Sequence, residues 1–133
     1  MRQTHRHELT QGRAITMYES VYPALDQHTA QRRRELAPET MQAFRAFSKQ
    51  VFADGALSAK TKQLIAVAAA HITQCPYCID SHTRTALAQG ATDAEVMEAI
   101  WVAAEMRAGA AYAHAAIAIR AMKAAESSGK AET

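Results

Sequence analysis

The chain has 133 residues, of which 49% are hydrophobic and 21% are charged, and this composition is typical of one globular domain with its own core. The formal net charge of +2 is too small to indicate a nucleic-acid-binding protein, and no stretch reaches the ~18 to 20 consecutive apolar residues of a membrane span. Three prolines, five glycines and few aromatic residues beside many alanines favour helices over strands. We therefore expect an all-α protein with no nucleic-acid or membrane partner.

The N-terminal part of the chain is predicted to contain a lead-in and two helical regions. Residues 1–14 are polar and are expected to be mobile, and because they lack an apolar export segment we expect a cytoplasmic protein. A helical domain is predicted for residues 15–125. Its first helical region ends at Leu36, with Pro23 near a helix start or at a kink, and Pro38 stands in the first turn of a second helix. Apolar residues recur at helical spacing through both regions, at Met17, Val21, Leu25, Met41, Phe44, Phe47 and Val51.

The middle of the chain is predicted to form a third and a fourth helix. Ser58 is the expected cap of the third helix, whose apolar residues up to Ile72 suggest burial on more than one side. The fourth helix is expected to begin at Pro76, because proline lacks a backbone N–H and is tolerated in a first turn. It is expected to end at Gly90.

The last part of the chain is predicted to hold two more helices and a tail. Thr92 and Glu95 have the spacing of a capping box and open the fifth helix. Gly109 is expected to separate this helix from a sixth one, and residues 126–133 are expected to be a frayed tail. The sequence therefore predicts a single-domain bundle of about six helices, with a cysteine motif at the N-terminus of the fourth.

That motif is Cys75-Pro76-Tyr77-Cys78, and it is followed by His82. Two cysteines three positions apart are not the distributed pattern of a secreted disulfide scaffold, so in a reducing compartment the pair indicates redox chemistry or metal binding. Unpaired N–H groups and the helix dipole at a helix N-terminus favour a thiolate. Because positions 78 and 82 share one helical face, Cys78 is the predicted nucleophile, and Cys75 is predicted to resolve its oxidised form by closing a disulfide.

Two alternative interpretations of the motif remain open. His71, Cys75, Cys78 and His82 could form a structural zinc site if the helix bends at Pro76, although otherwise His71 is expected to be a packed or hydrogen-bonded helix residue. The cysteine pair could also act as a non-enzymatic redox sensor that switches an oligomer interface. The redox interpretation itself requires neither a metal nor another cofactor.

Three aromatic or sulfur-containing side chains have less specific interpretations. Tyr77 could shape peroxide access, donate a hydrogen bond or simply cover the site. Trp101 and Met106 lie at helical spacings typical of a core or of a subunit interface. Alanine-rich helices in so short a chain would bury more apolar area by association, so we expect a homo-oligomer.

The stretch from Leu57 to Gly90, which reads LSAKTKQLIAVAAAHITQCPYCIDSHTRTALAQG, and the helix over Thr92–Ala103 resemble the alkylhydroperoxidase D-like group of the carboxymuconolactone decarboxylase superfamily. The resemblance implies an all-helical homo-oligomer, often a trimer or a hexamer. It also implies an antioxidant peroxidase whose CxxC-xxx-H centre reduces peroxides and is re-reduced by a dithiol or thioredoxin-like partner. On this resemblance Cys78 is peroxidatic, Cys75 is resolving and His82 relays a proton.

One position departs from the family pattern. Members of the group commonly have a glutamate twelve residues before the first cysteine, where it begins the proton relay, and this chain has Gln63. An amide has no useful pKa, so Gln63 is expected to orient a water molecule or His82 rather than act as a base. The change weakens peroxidase turnover more than dithiol exchange. The decarboxylase reaction is rejected, because that branch of the superfamily lacks the cysteine pair.

Overall fold

The structure is a computed structural model that describes Tyr22 and residues 26–129. The described residues contain no strand, and they form five helices: α1 (Gln27–Leu36), α2 (Pro38–Val51), α3 (Ala59–Thr73), α4 (Pro76–Ala88) and α5 (Asp93–Gly129). The all-α prediction is confirmed. The predicted lead-in over residues 1–14 lies outside the described residues, as does most of the segment around Pro23.

The chain divides into two compact units, Met1–Ala43 and Phe44–Thr133, so the division falls within α2. In the first unit, α1 begins after Asp26, whose carboxylate accepts the N–H of Thr29 at 2.7 Å and so caps the helix. The side chains of α1 are mostly exposed. The described part of this unit contributes no buried residue.

The second unit contains the helix starts that the sequence predicts. The hydroxyl of Ser58 accepts the N–H of Thr61 at 3.1 Å and caps α3. At the start of α5, Thr92 Oγ1 accepts the N–H of Glu95 at 3.1 Å, and the Glu95 carboxylate accepts the N–H of Thr92 at 2.7 Å. This reciprocal pair is a capping box, and it confirms that prediction.

The predicted break at Gly109 is wrong, because α5 continues without interruption from Asp93 to Gly129. A single glycine costs a helix only about 1 kcal/mol relative to alanine, and here it lies among alanines with no proline after residue 93. The fifth and sixth predicted helices are therefore one helix, and the described residues contain five helices instead of about six. Residues 126–129, which were expected to belong to a tail, are the last residues of this helix.

The core of the second unit lies between α3 and its two neighbours. Helix α3 packs along both α4 and α5, whereas α4 and α5 contact each other only slightly. Val67 is fully buried at the centre, together with Ala86, Ala91 and Val96, and it is surrounded by the partly buried Leu64, Ala99 and Ile100. Small residues dominate this core, so few large side chains are enclosed.

Polar contacts at two places along α3 fix its direction relative to α5. Lys60 near the start of α3 forms a 2.7 Å salt bridge with Glu95 near the start of α5. The guanidinium of Arg107, twelve residues further along α5, donates to the carbonyl of His71 near the end of α3. The two helices therefore run side by side in the same direction.

Many large apolar side chains of the second unit are exposed. Trp101 and Met106 are 68% and 58% exposed, so they do not belong to the core of this chain. All side chains from residue 110 to residue 127 are exposed as well, although four of them are large and apolar: Tyr112, Ile117, Ile119 and Met122. None of the helices in the described part of the chain is both long and apolar enough to cross a membrane.

The enclosed position of Val67 predicts how the core responds to truncation. Val67→Ala removes two buried methyl groups and leaves a small cavity, so we expect the free energy of unfolding to fall by about 2 kcal/mol. The matched control is Ile65→Ala on the same helix, where the side chain is 53% exposed. This control is expected to cost less than about 1 kcal/mol. Urea denaturation of both variants measures the difference, and equal losses would contradict this assignment of the core.

Candidate redox site

The cysteine motif begins at the residue that ends α3. Gln74 adopts the left-handed conformation, with a φ of 55°. Among the described residues, Gln74 alone has a positive φ without being a glycine. The backbone N–H groups of Gln74 and Cys75 both donate to the carbonyl of Ala70, the latter at 3.1 Å. These bonds satisfy a helix-end carbonyl and stop the helix in a Schellman-type turn. The chain therefore changes direction immediately before Cys75.

Cys75 is also the N-cap of α4. Its backbone is extended, Pro76 occupies the first turn, and the Sγ atom accepts the backbone N–H of Cys78 at 3.4 Å. A sulfur atom thus takes the capping position that serine or aspartate usually fills, and it meets the N–H groups and positive dipole end of the helix.

Cys75 and Cys78 form a disulfide, so both cysteines of the chain are paired. Their Cα atoms are 5.3 Å apart, which is within the normal range for a disulfide. Both residues are half-buried. The sulfur atoms are therefore neither sealed inside the protein nor fully open to solvent.

His82 lies one turn after Cys78 on α4 and is held by a residue of α3. The Nδ1 atom of His82 is 2.7 Å from Oε1 of Gln63, which is buried. Because an amide oxygen can only accept a hydrogen bond, Nδ1 carries the proton in this contact. In the neutral imidazole the lone pair is therefore on Nε2, which is left to accept a proton from elsewhere.

The surroundings of His82 favour the neutral form of its ring. Partial burial lowers the pKa of His82 below its ordinary value, because desolvation disfavours the imidazolium. The ring of Phe52 lies against the imidazole, with the two centroids 5.2 Å apart. Phe52 follows α2 in an irregular segment, where no periodic pattern in the sequence marks it as part of the site.

Tyr77 and His71 were the other residues that the sequence suggested for this site. Tyr77 is half-buried between the cysteines, and its role stays a prediction. The Nδ1 atom of His71 lies 2.8 Å from the carbonyl of Val67, so His71 is a hydrogen-bonded helix residue. Over residues 26–129, no three or more histidine, cysteine, aspartate or glutamate side chains converge in a way that could hold a metal ion.

Comparisons with known proteins agree with the fold. The family model of the carboxymuconolactone decarboxylase family matches residues 38–121. An uncharacterized protein, protein 4 in the cox locus of Paracoccus denitrificans, is 71% identical over 73 residues, which are 55% of this chain and 66% of that protein. The chain therefore spans slightly less than two thirds of this relative. An uncharacterized protein of Cupriavidus necator is 40% identical over 83 residues, which are 61% of this chain and 74% of that protein.

Two solved structures share the helical arrangement. One is the apo form of a carboxymuconolactone decarboxylase family protein from Legionella pneumophila, with a TM-score of 0.57 and 38% identity, covering 59% of this chain and 70% of that one. The other is a protein from Methanobacterium thermoautotrophicum, with a TM-score of 0.59 and 37% identity, covering 62% of this chain and 93% of that one.

The contact between Gln63 and His82 predicts a shift in the pKa of the imidazole. In Gln63→Glu, a carboxylate would accept the Nδ1 proton and stabilise the imidazolium, so we expect the pKa of His82 to rise. NMR titration of the ring protons measures this pKa, with the resonances assigned from a His82→Gln variant. Gln89→Glu adds the same charge at the exposed far end of α4 and is expected to leave the pKa unchanged. An equal response to both substitutions would contradict a direct contact between Gln63 and His82.

Proposed function

The chain belongs to the carboxymuconolactone decarboxylase family, and from this premise we propose that Cys75 and Cys78 are the redox centre of a thiol-dependent peroxidase and disulfide oxidoreductase that serves antioxidant defence in the cytoplasm. The observation that carries the proposal is the cysteine pair itself, which closes a disulfide across the first turn of α4. A half-buried disulfide with a histidine one helical turn after its second cysteine has the composition of a thiol redox centre.

The oxidative half of the cycle begins with the reduced pair. The thiolate of Cys78 attacks hydrogen peroxide or an organic hydroperoxide, the O–O bond breaks, and the leaving oxygen takes a proton and departs as water or an alcohol. Cys78 becomes a sulfenic acid. The thiol of Cys75 then condenses with it, forming the disulfide and releasing one water molecule. One peroxide is reduced by two electrons, and two thiols are oxidised to one disulfide.

The reductive half returns both thiols with a dithiol partner. A partner thiolate attacks Cys75, and Cys78 leaves as a thiolate. The second partner thiol attacks the mixed disulfide and releases Cys75 as a thiolate, which the N–H of Cys78 stabilises. Both thiolates take up the two protons that the partner thiols lose. The partner is oxidised to a disulfide, so the electrons balance.

His82 is the proposed proton acceptor for the thiol of Cys78, through the lone pair on Nε2. When Nε2 takes up this proton, the ring becomes an imidazolium whose Nδ1–H donates to the uncharged amide of Gln63. A carboxylate at the position of Gln63 would compensate the positive charge, and the amide does not. Forming the imidazolium is therefore less favourable than it would be beside a glutamate. We expect peroxide turnover to be slow, whereas dithiol exchange, which needs only a thiolate and a leaving group, is affected less. Tyr77 is proposed to shape access to the sulfur atoms.

Cysteine variants test the peroxidase proposal. The wild-type protein with dithiothreitol is expected to consume many equivalents of peroxide, and Cys78→Ser is expected to abolish this consumption because the attacking sulfur is lost. Cys75→Ser leaves that sulfur but removes the resolving thiol, so a sulfenic acid on Cys78 should be trapped by dimedone and detected by mass spectrometry. Unchanged consumption of peroxide by Cys78→Ser would overturn the assignment.

The presence of Gln63 favours a second candidate function, a redox sensor. A sensor would react with a single equivalent of peroxide per chain and would change its assembly without turning over. The two functions are distinguished by the rate of peroxide consumption in Gln63→Glu, because excess dithiothreitol re-reduces the disulfide in either case. A substantial rise in this rate supports the enzyme, and an unchanged rate together with a change in oligomeric state on oxidation supports the sensor.

We also propose that the protein is a homo-oligomer, with a trimer or a hexamer implied by the family resemblance. The support is the set of apolar side chains that the described chain leaves exposed on α5. Trp101, Tyr112, Ile117 and Met122 are each more than half exposed. Large apolar side chains exposed in this number are typical of a surface that another protein covers.

The proposed association predicts that a charge on the distal half of α5 weakens assembly. Ile117→Lys would place an ammonium group within the interface, and we expect the dissociation constant to rise at least about tenfold, which corresponds to about 1.4 kcal/mol. Sedimentation velocity at micromolar concentration measures the assembly. Gln31→Lys adds the same charge on the exposed surface of α1 and is the control. A wild-type protein that sediments as a monomer would contradict the proposal.

A further inference from the structure

The turn before Cys75 differs from the corresponding turn at the end of α4. After α4, Gly90 has a φ of 85°, and the N–H of Ala91 donates to the carbonyl of Ala86 at 3.0 Å. The turn after α3 has the corresponding hydrogen bond, from the N–H of Cys75 to the carbonyl of Ala70 at 3.1 Å, but it places Gln74 where the other turn has glycine. A side chain makes the left-handed conformation unfavourable, because its Cβ approaches the backbone. Gln74 therefore needs a compensating interaction that a glycine could not make.

The side chain of Gln74 makes such an interaction with Arg107 of α5. With its amide oxygen toward the guanidinium, Oε1 of Gln74 accepts hydrogen bonds from Nη1 at 3.0 Å and from Nη2 at 3.3 Å. This orientation is the satisfied one, because the opposite orientation would point the amide NH₂ group at the N–H groups of the arginine. The guanidinium thus holds one oxygen with two donors.

Arg107 contacts the end of α3 at a second point. Its Nη1 atom lies 3.5 Å from the carbonyl oxygen of His71, in the last turn of the helix. This carbonyl is one of the helix-end acceptors, and a cation there also interacts favourably with the negative end of the helix dipole. One side chain of α5 therefore fastens both the last turn of α3 and the residue that connects it to Cys75.

We propose that Arg107 is a positioning residue of the redox centre, which keeps Gln74 in the left-handed conformation and thereby holds Cys75 within disulfide distance of Cys78. The inference rests on the proposed thiol-disulfide cycle. When the disulfide is reduced, the backbone turn and the hydrogen bond from the Cys78 N–H to the sulfur of Cys75 keep the two cysteines close to each other. A fixed turn raises the effective concentration of one thiol at the other, and this concentration sets the stability of the disulfide against an external dithiol.

The relevant equilibrium exchanges two electrons and two protons. Dithiothreitol reduces the disulfide between Cys75 and Cys78 to two protein thiols. Dithiothreitol itself is oxidised to its cyclic disulfide. In Arg107→Met, Gln74 loses its partner and the turn samples other conformations. The equilibrium constant for closing the protein disulfide should therefore fall about threefold to tenfold, and a tenfold fall raises the midpoint potential by about 30 mV.

The experiment equilibrates the full chain with reduced and oxidised dithiothreitol at fixed ratios, traps free thiols by alkylation and measures the oxidised fraction by mass spectrometry. Arg107→Lys keeps one cationic donor, so its equilibrium constant should lie between those of the wild type and Arg107→Met. In Gln74→Gly, the turn keeps its conformation without the amide, and adding Arg107→Met to this variant should then change the equilibrium little. Arg45→Met, at an exposed arginine of α2, is the matched control and should have no effect.

Two results would overturn the inference. One is an unchanged equilibrium constant in Arg107→Met, even where urea denaturation shows a less stable protein, because Arg107 would then have a structural role alone. The other is an equal effect of Arg107→Met with and without Gln74→Gly, because the effect would then not pass through the amide. Failure of the proposed function gives a different result. The potential would still shift in Arg107→Met, but the wild-type protein would not consume peroxide in the presence of dithiothreitol.

Discussion

The carbonyl of Ala70 accepts the N–H groups of both Gln74 and Cys75, and these hydrogen bonds end α3 and start α4 within three residues. Cys75 consequently contributes to both helices. Its backbone N–H closes the turn after α3, and its sulfur atom caps α4. The sulfur atom of Cys75 reaches the N–H of Cys78 only because the turn delivers it to the N-terminus of α4. The disulfide, the cap and the direction of α4 all depend on the conformation of this single turn.

Gln63 connects the buried interior to the same site. A buried polar side chain needs a hydrogen-bond partner, because an unsatisfied group costs about 1 to 3 kcal/mol. Gln63 finds this partner in His82, and the contact fixes the tautomer of the imidazole at the same time. A neutral pair suits this position because neither partner has to bury a charge. The contact joins α3 to α4, and partial burial of the ring lowers the pKa of His82, which favours the uncharged imidazole.

The sequence predicts the local features well, because short-range rules determine them. Ser58, Pro76 and the pair Thr92 and Glu95 mark helix starts that depend on neighbouring residues only. The break expected at Gly109 was wrong, because helix propensity on both sides outweighed one glycine. The spacing of Cys78 and His82 places them one turn apart, whereas the partner of the imidazole comes from another helix. Gln63 could be identified as a site residue only through the family resemblance. No signal in the sequence identifies Phe52 as a neighbour of His82.

Long-range contacts explain what the sequence leaves open at the turn. Nothing in the order of residues marks Gln74 as left-handed, since glycine or asparagine is the usual signal. The interaction that makes this conformation acceptable comes from Arg107, 33 positions further along the chain. Such a contact exists only after α5 has packed along α3, in the same direction and in one register. The salt bridge between Lys60 and Glu95 fixes that register near the other end of the helix pair.

The composition of the core explains which side chains of α5 stay exposed. Val67 is the largest fully buried side chain of the described residues, and most of its buried neighbours are alanines. The same small residues enclose little apolar area, because an alanine buries much less surface than a leucine or a phenylalanine. The larger apolar side chains of α5 are then left on its outer surface, where burying them requires a second protein surface.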